Sequence, residues 1–253
     1  MKPYILILLV CYMIGLTTAC KKEAEPANSL NSSTVDNAQS SPAEQLKFNP
    51  MLFVHGIDNP YLPLVPGTVF KFVNSINDDG EKSTEHETMT VTSDIKKILT
   101  VKCEVVHDVI REDGKVTEDT YDWYAQDIFG NVWYFGEHTK ELTDTGWSTA
   151  GSWEAGVNNA VPGIIMFGNP ELFIGQTFYE EFSPGVAEDQ ATLLSTTATA
   201  TVPYGHFTGC VKTKEFTVLE PGDVERKFYA KGVGQVLGVA ADETDELVSV
   251  NKN

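Results

Sequence analysis

The sequence predicts an all-β protein, built as a single antiparallel β-barrel or a curled β-sandwich. Short runs rich in β-branched and aromatic residues follow one another along the chain, separated by Gly, Pro, Asn and Asp turn signals. Beyond the first 20 residues, no segment keeps the apolar period of a helix. Regularly spaced short strands are typical of barrels and sandwiches.

The N-terminus predicts export and lipid attachment. Lys2 precedes the apolar run 4–16, which is too short to span a membrane and is typical of a secretory signal peptide. The run ends in the sequence TTAC, which resembles the lipobox of bacterial lipoproteins, although Thr17 stands where leucine is usual. Residues 1–19 are therefore predicted to be a lipoprotein signal peptide, and Cys20 to carry palmitate and other acyl chains; the alternative is an ordinary secreted protein.

The segment that follows predicts where the protein is held. Residue 21 is lysine rather than the aspartate that keeps many enterobacterial lipoproteins at the inner membrane, so the predicted location is the outer membrane of the cell envelope. Residues 20–45, the lipidated cysteine and a linker rich in Ser, Asn, Ala and Glu, contain too few apolar side chains to fold. Residues 46–253 show no further linker or repeat and are predicted to form one β-rich domain.

The charge of the chain limits its partners. The formal net charge is −18, and loss of Lys2 with the signal peptide leaves −19. Such a charge disfavours binding to nucleic acid. It permits calcium, but no calcium-loop, zinc-ligand, dinucleotide or nucleophile-elbow motif is present. No metal, no cofactor and no catalytic residue is therefore predicted.

Strands and turns are predicted along the whole domain. Residues 146–170, rich in glycine, read as an irregular binding loop or, alternatively, as a surface crossover. The predicted turns are 77–81, 112–115, 183–189 and 203–205. The predicted strands are 68–73, 87–92, 95–110, the two strands of a hairpin at 118–137, 177–182, 193–202, 206–219, 226–230 and 235–240.

The hairpin 118–137 contains seven aromatic residues, six of them in its two strands. A three-residue loop at 128–130, with Gly130 in the left-handed conformation, pairs Asp127 with Asn131 and Trp123 with Phe135. One face is then predicted to be core: Tyr121, Trp123, Ala125, Trp133, Phe135 and Glu137. The other face, open to water or to a partly wet cavity, has Asp122, Tyr124, Gln126, Val132, Tyr134 and Gly136. This register places Asp122 and Glu137 on opposite faces, which disfavours a direct pair.

Two kinds of side chain are candidates for specific roles. Cys103 and Cys210 lie in strand-like runs and form either a disulfide or two separate buried thiols. Carboxylates beside aromatic or glycine-rich motifs could hold a polar ligand or, alternatively, serve separate structural roles. The candidate ligand-binding residues are Asp122, Tyr124, Tyr134, Trp153, Glu154, Glu188 and Asp189.

Several motifs also resemble a known family. The sequences NPYLPLVPGT, TYDWYAQD, GNVWYFGE, GSWEAGV, PGVAED, VPYGHF and YAKGVGQVLGV, taken in order, are similar to a family of uncharacterised exported bacterial proteins. The resemblance spans residues 58–250. It implies one β-rich exported domain and implies no activity or substrate.

The predicted function is a non-catalytic, lipid-anchored binding module for a small or lipidic ligand. A closed apolar pocket lined by Tyr124, Tyr134 and Trp153 would favour it. One alternative is a structural or interaction protein of the envelope, which would present a large exposed apolar patch. Another is a hydrolase, which needs two carboxylates within about 5–10 Å in one cleft.

Overall fold

The structure, a computed structural model, describes residues 47–78 and 80–252. The predicted signal peptide 1–19, Cys20 and the linker up to residue 45 lie outside these residues. Within the described ranges, no helix combines the length and the apolar character needed to cross a membrane.

The described chain is almost entirely strand. Two short 3-10 turns, Pro50–Leu52 and Pro170–Phe173, accompany fifteen strands. In chain order the strands are β1 Thr68–Asp78, β2 Glu81–Ile98, β3 Val101–Glu112, β4 Lys115–Gln126, β5 Val132–Thr143, β6 Gly146–Ser148, β7 Trp153–Glu154, β8 Val161–Met166, β9 Thr177–Tyr179, β10 Glu181–Phe182, β11 Asp189–Val202, β12 Gly205–Thr217, β13 Arg226–Ala230, β14 Gly234–Val239 and β15 Glu243–Lys252.

The strands form one antiparallel sheet that curls into a nearly closed barrel. Thirteen strands follow the order β10-β8-β5-β4-β3-β2-β1-β15-β14-β13-β12-β11-β9, while β6 and β7 pair separately with β5. The two ends of this order, β9 and β10, are separated in the chain by Glu180 alone, so the sheet returns to its starting point. The all-β antiparallel prediction is confirmed, and the architecture is a barrel.

The loop of the aromatic hairpin has the predicted geometry. Gly130 has φ +82°, its amide donates to the Asp127 carbonyl at 2.9 Å, and the Asp127 amide donates to the Asn131 carbonyl at 3.0 Å. The Asp127 carboxylate then accepts bonds from the amides of Phe129 and Asn131 and from the Trp133 indole. One aspartate therefore fixes both the loop and the first residues of β5.

Beyond this loop the predicted register is wrong. Tyr124 lies opposite Tyr134, as the loop requires, but Asp122 lies opposite Glu137. One extra residue on β5, a β-bulge at Phe135–Gly136, causes the shift and removes the predicted pairing of Trp123 with Phe135. The bulge reverses the side on which Glu137 points, so Asp122 and Glu137 share a face.

Four of the six residues predicted to form the core face are buried on that face. Phe48 and Phe53 cover Trp133 and Phe135, with ring centroids 5.4–6.3 Å apart. The four buried residues are Trp123, Ala125, Trp133 and Phe135. The prediction is wrong for Tyr121, which is exposed and stacks on the His107 ring. It is wrong in position for Glu137, which the bulge turns to the opposite face.

Two other segments differ from their predictions. The predicted strand 95–110 is interrupted by a tight turn at Leu99 and Thr100, where φ is +45° and +71°. Neither residue favours positive φ, so the local sequence contained no turn signal. Residues 146–170, predicted to be a loop, contain the short strands β6, β7 and β8, because they pair along the edge of β5.

Cys103 and Cys210 are buried and unpaired. They lie on β3 and β12, with five strands between them in the sheet order. The alternative of two separate buried thiols therefore describes the structure, and burial raises the pKa of Cys103 to about 12.

Candidate ligand cavity

The barrel encloses a cavity of about 330 Å³, to which most of the strands contribute side chains. We call it the acidic cavity. Among the described residues that line it, Lys227 is the one side chain with a positive charge, while thirteen are carboxylic acids. These are Glu87, Asp108, Asp122, Glu137, Glu180, Glu181, Asp189, Glu215, Glu220, Asp223, Glu225, Glu243 and Asp245.

Strand alternation explains why polar groups face inward. On β4, Thr120, Asp122 and Tyr124 line the cavity, while the alternate residues Tyr121 and Trp123 lie on the other face. Three residues of the hairpin face that was open to two interpretations, Asp122, Tyr124 and Tyr134, therefore face a cavity rather than bulk water.

Asp122, Tyr134 and Glu137 form a hydrogen-bonded group on one wall. The Tyr134 hydroxyl lies 2.6 Å from Asp122 Oδ1 and 3.1 Å from Glu137 Oε2. A phenol has one proton, so it donates to Asp122, and a protonated Glu137 completes the group by donating to the phenol oxygen. The Tyr124 ring stacks on Tyr134, with centroids 4.9 Å apart.

Burial governs the proton affinity of this wall. It raises the pKa of Asp122 to about 7, although the hydrogen bond from Tyr134 acts in the opposite direction. Burial, and then repulsion from Asp122, raises the pKa of Glu137 well above its usual range. The wall therefore holds at least one proton at neutral pH, and it ionises further as the pH rises.

Two more carboxyl pairs share hydrogen bonds inside the cavity. Glu87 pairs with Asp108, and Glu181 pairs with Asp189. A bond between two carboxyl groups requires a proton on one of them. Burial is the largest cause that raises the pKa of Asp108 and of Asp189, each to about 6.

Lys227 does not neutralise the cavity, because its charge is already paired. Its Nζ lies 2.7 Å from Glu215 Oε2 and 3.5 Å from Glu225 Oε2. Burial alone would lower the pKa of Lys227, but the attraction of these two carboxylates outweighs it and raises the pKa. Gly238 makes room for this group, since a Cβ there would collide with the Glu225 carboxylate.

Several acceptor atoms in the cavity have no hydrogen-bond partner. Asn74 and Asp245 lie opposite each other on β1 and β15, and the Oδ1 atom of each is unpartnered. Their side chains belong to residues that are only 5% and 9% exposed. Asp108 Oδ1 and Asp189 Oδ1 are also unpartnered. An unmet buried acceptor is unfavourable unless a donor reaches it, so these atoms favour a ligand rich in donors.

The structure brings together four of the seven predicted ligand-binding residues. Asp122, Tyr124, Tyr134 and Asp189 line the acidic cavity. The remaining three have other contacts. The Trp153 indole lies behind the wall and donates to Glu181 at 2.8 Å; Glu154 forms an ion pair with Lys96; Glu188 accepts a bond from the Gly185 amide.

Most of the cavity acids were missed by sequence reasoning. Glu87, Asp108 and Asp245 each lie next to another polar residue in a strand, and polar strand residues are usually interpreted as facing water. One signal in the sequence was the alternation of acids and aromatics on β4. A large aromatic such as Tyr124 is unusual on a water-exposed face, so its presence indicates that this face lines a cavity.

The acidic cavity concentrates carboxyl groups in one enclosed space. Among residues 47–78 and 80–252, no group of three or more His, Cys, Asp or Glu side chains has the arrangement to hold a metal ion. The aromatic wall of Tyr124 and Tyr134 adds a surface to which an organic cation is attracted through the ring faces.

No protein-family model matches the chain, and the comparison with curated proteins gives no match. Among solved structures, the chain is similar to a candidate exported protein with a YmcC-like fold from Bacteroides fragilis, at 13% identity and a TM-score of 0.45, over 79% of this chain and 100% of that one. It is also similar to a candidate lipoprotein from Parabacteroides distasonis, at 11% identity and a TM-score of 0.42, over 76% and 99%. Likenesses of this degree carry no information about activity.

Proposed function

We propose that this protein is a lipid-anchored binding module of the cell envelope whose acidic cavity takes up a small organic cation. The unpartnered acceptors of Asn74 and Asp245 carry the proposal, because they require donors and the cavity has no unpaired positive charge among its described residues. An amine with several N–H groups supplies donors and charge together. The cavity differs from the predicted apolar pocket, and this difference favours a polar ligand over a lipidic one.

Direct binding to amines tests this proposal. We expect a triamine such as spermidine to bind the mature chain in calorimetry, more tightly at pH 8 than at pH 5, because the cavity carboxyls ionise over that range. Asp245→Asn keeps the shape of the side chain and removes its charge, and should weaken binding at least about tenfold. Glu81→Gln, at an exposed position on β2, should leave the affinity unchanged.

Two results would count against an amine ligand. Equal binding by the parent protein and Asp245→Asn would place the amine outside the acidic cavity. A response to calcium without any response to amines would replace the organic cation with a metal. Labelling with a radioactive fatty acid, lost in Cys20→Ser, separately tests the lipid anchor and its predicted palmitate, and membrane fractionation tests the outer-membrane location.

A second candidate function is supported by the bulge. Because Asp122 and Glu137 both contact the Tyr134 hydroxyl, their carboxyl oxygens lie within about 6 Å of each other, a separation at which two carboxyls can act together on a glycosidic bond. A panel of aryl glycosides tests this hydrolase function. Activity abolished by both Asp122→Asn and Glu137→Gln would support it, and its absence across the panel would leave binding as the function.

A further inference from the structure

A second feature of the barrel lies on its outer surface, beside the aromatic hairpin loop. Three chain segments meet there: 47–54, 127–131 and 168–174. The Ile128 amide donates to the Leu52 carbonyl at 2.8 Å, and the Gly168 amide donates to Asn131 Oδ1 at 3.0 Å. These bonds hold the three segments together as one surface, which we call the apolar face.

The apolar face exposes large side chains. Met51 is 86% exposed, Ile128 57%, Phe129 66% and Leu172 68%. Phe129 and Leu172 also line a cavity of about 410 Å³, whose apolar lining is completed by Leu52, Phe53, Trp133 and Phe173. Such a concentration of exposed apolar side chains on a soluble surface marks a place of contact.

Loop geometry does not require these residues. The three-residue loop needs Gly130, which has positive φ, but imposes no apolar side chain at Ile128 or Phe129. Asp127, which also lines this second cavity, has both carboxylate oxygens occupied by protein donors. The apolar side chains therefore serve neither the turn nor the core, and the acid beside them needs no external cation.

The distance along the chain between Cys20 and the start of the described fold indicates what covers the apolar face. The described fold begins at Lys47, which lines the second cavity. Twenty-six residues separate it from Cys20. A chain of that length spans at most about 90 Å even when fully extended, so an anchored Cys20 confines this face to the neighbourhood of the bilayer. The net charge near −19 disfavours attraction to anionic lipid, which leaves insertion of apolar side chains as the means of contact.

We propose that the apolar face docks on the surface of a lipid bilayer, with Phe129 and Leu172 inserted among the acyl chains. The lipid anchor of the proposed function brings the face to the membrane, and the apolar side chains then hold it there. The contact does not depend on salt, because no charged pair carries it. Its lipid partner is zwitterionic, since the protein is strongly acidic.

Sedimentation with phosphatidylcholine vesicles tests this docking without the anchor. The chain from residue 20 onward with Cys20→Ser carries no acyl group, so any binding belongs to the fold. We expect it to sediment with the vesicles equally at low and high salt. A double variant, Phe129→Ser with Leu172→Ser, should lower the bound fraction at least about tenfold.

Matched controls isolate the face. Val218 and Leu194 are 53% and 40% exposed and lie outside the three segments, so Val218→Ser with Leu194→Ser should bind as the parent does. Equal loss in both double variants, or no loss in either, would overturn the proposal. Loss of a dimer in gel filtration of the Phe129→Ser, Leu172→Ser variant would instead assign the face to a second copy of the chain.

The test is independent of the acidic cavity. Spermidine affinity and the thermal transition of each variant show whether the barrel is intact, because the substituted side chains do not line that cavity. Vesicle binding without amine binding would contradict the proposed function alone. Amine binding without vesicle binding would contradict the docking alone.

Discussion

Gly136 decides which way the carboxyl group of Glu137 points. Its φ of +124° lies outside the left-handed region that other residues tolerate, and a Cβ there would overlap the Trp153 carbonyl oxygen. It occupies the bulge that turns Glu137 toward Asp122. The geometry of the acidic wall therefore depends on a residue that has no side chain.

We expect Gly136→Ala to destabilise the protein by about 2–4 kcal/mol, because backbone strain and a steric overlap act together. Urea unfolding measures the change. Gly209→Ala is the control, since Gly209 has φ +69° and open space around its Cβ position; it should lose only about 1 kcal/mol. Similar losses in the two variants would mean that the overlap with Trp153 is relieved without difficulty.

At this scale the sequence identified some site residues and misplaced others. Asp122, Tyr124 and Tyr134 were found because a carboxylate and two phenols alternate on one hairpin face. Glu137 was assigned to the opposite face, because strict alternation cannot foresee a bulge. Glu154 and Glu188 were selected for their neighbours in sequence, and the structure gives them a lysine and a turn amide instead.

At the scale of elements, turn chemistry determined what could be predicted. The turn at Asp113 and Gly114 has positive φ at both residues and a sequence that favours it, and it was predicted. The turn at Leu99 and Thr100 has the same kind of backbone without such a sequence. The pairing of β2 with β3 imposes this turn. Because pairing depends on two strands, the sequence of the turn segment alone does not predict it.

The Leu99–Thr100 turn should therefore be a site where stability can be gained. Thr100 is exposed with φ +71°, a conformation that is strained for a β-branched residue. We expect Thr100→Gly to raise the free energy of unfolding by about 1 kcal/mol. Leu99 is not substituted in this variant, because its side chain packs against Gly156.

The same substitution within a strand should change the free energy of unfolding in the opposite direction. Thr199 is exposed on β11, where glycine has no strain to relieve and increases the entropy of the unfolded chain. Thr199→Gly is expected to lower stability by about 0.5–1 kcal/mol. Chemical denaturation of both variants makes the comparison, and a loss of stability at Thr100 would show that the turn is not strained.

For the whole molecule, the buried acids make stability depend on pH. Burial raises the pKa of Asp122 to about 7, and burial with repulsion from Glu225 raises that of Asp245 to about 8. In the unfolded chain such groups titrate near pH 4. Between these limits the folded protein binds more protons than the unfolded chain, so its stability falls as the pH rises.

We expect the melting temperature to fall by roughly 5–10 °C between pH 5 and pH 8, and spermidine to restore part of the loss at pH 8. Asp122→Asn and Asp245→Asn should flatten the profile, while Glu81→Gln should not. Scanning calorimetry across this range provides the measurement. A melting temperature that rises with pH would contradict the assignment of raised pKa values to the cavity.

The barrel itself followed from the succession of strands and turns, but its acidic interior did not. The alternation of side chains along a strand separates two faces but does not show which face points into the barrel. That is determined when the sheet closes. Four strands, β6, β7, β8 and β15, were also absent from the prediction, because their residues gain a partner only when the sheet is assembled.

The pairing of β1 with β15 places Thr68 opposite Lys252. A ribosome makes the first of these residues long before the second, so β1 waits with one edge free until β15 has been synthesised. Contacts so distant in sequence are slow to form. The meander from β1 to β5 can assemble early, but the ring closes only when β15 is in place, and until then the acids of its interior remain in water and keep their ordinary charge.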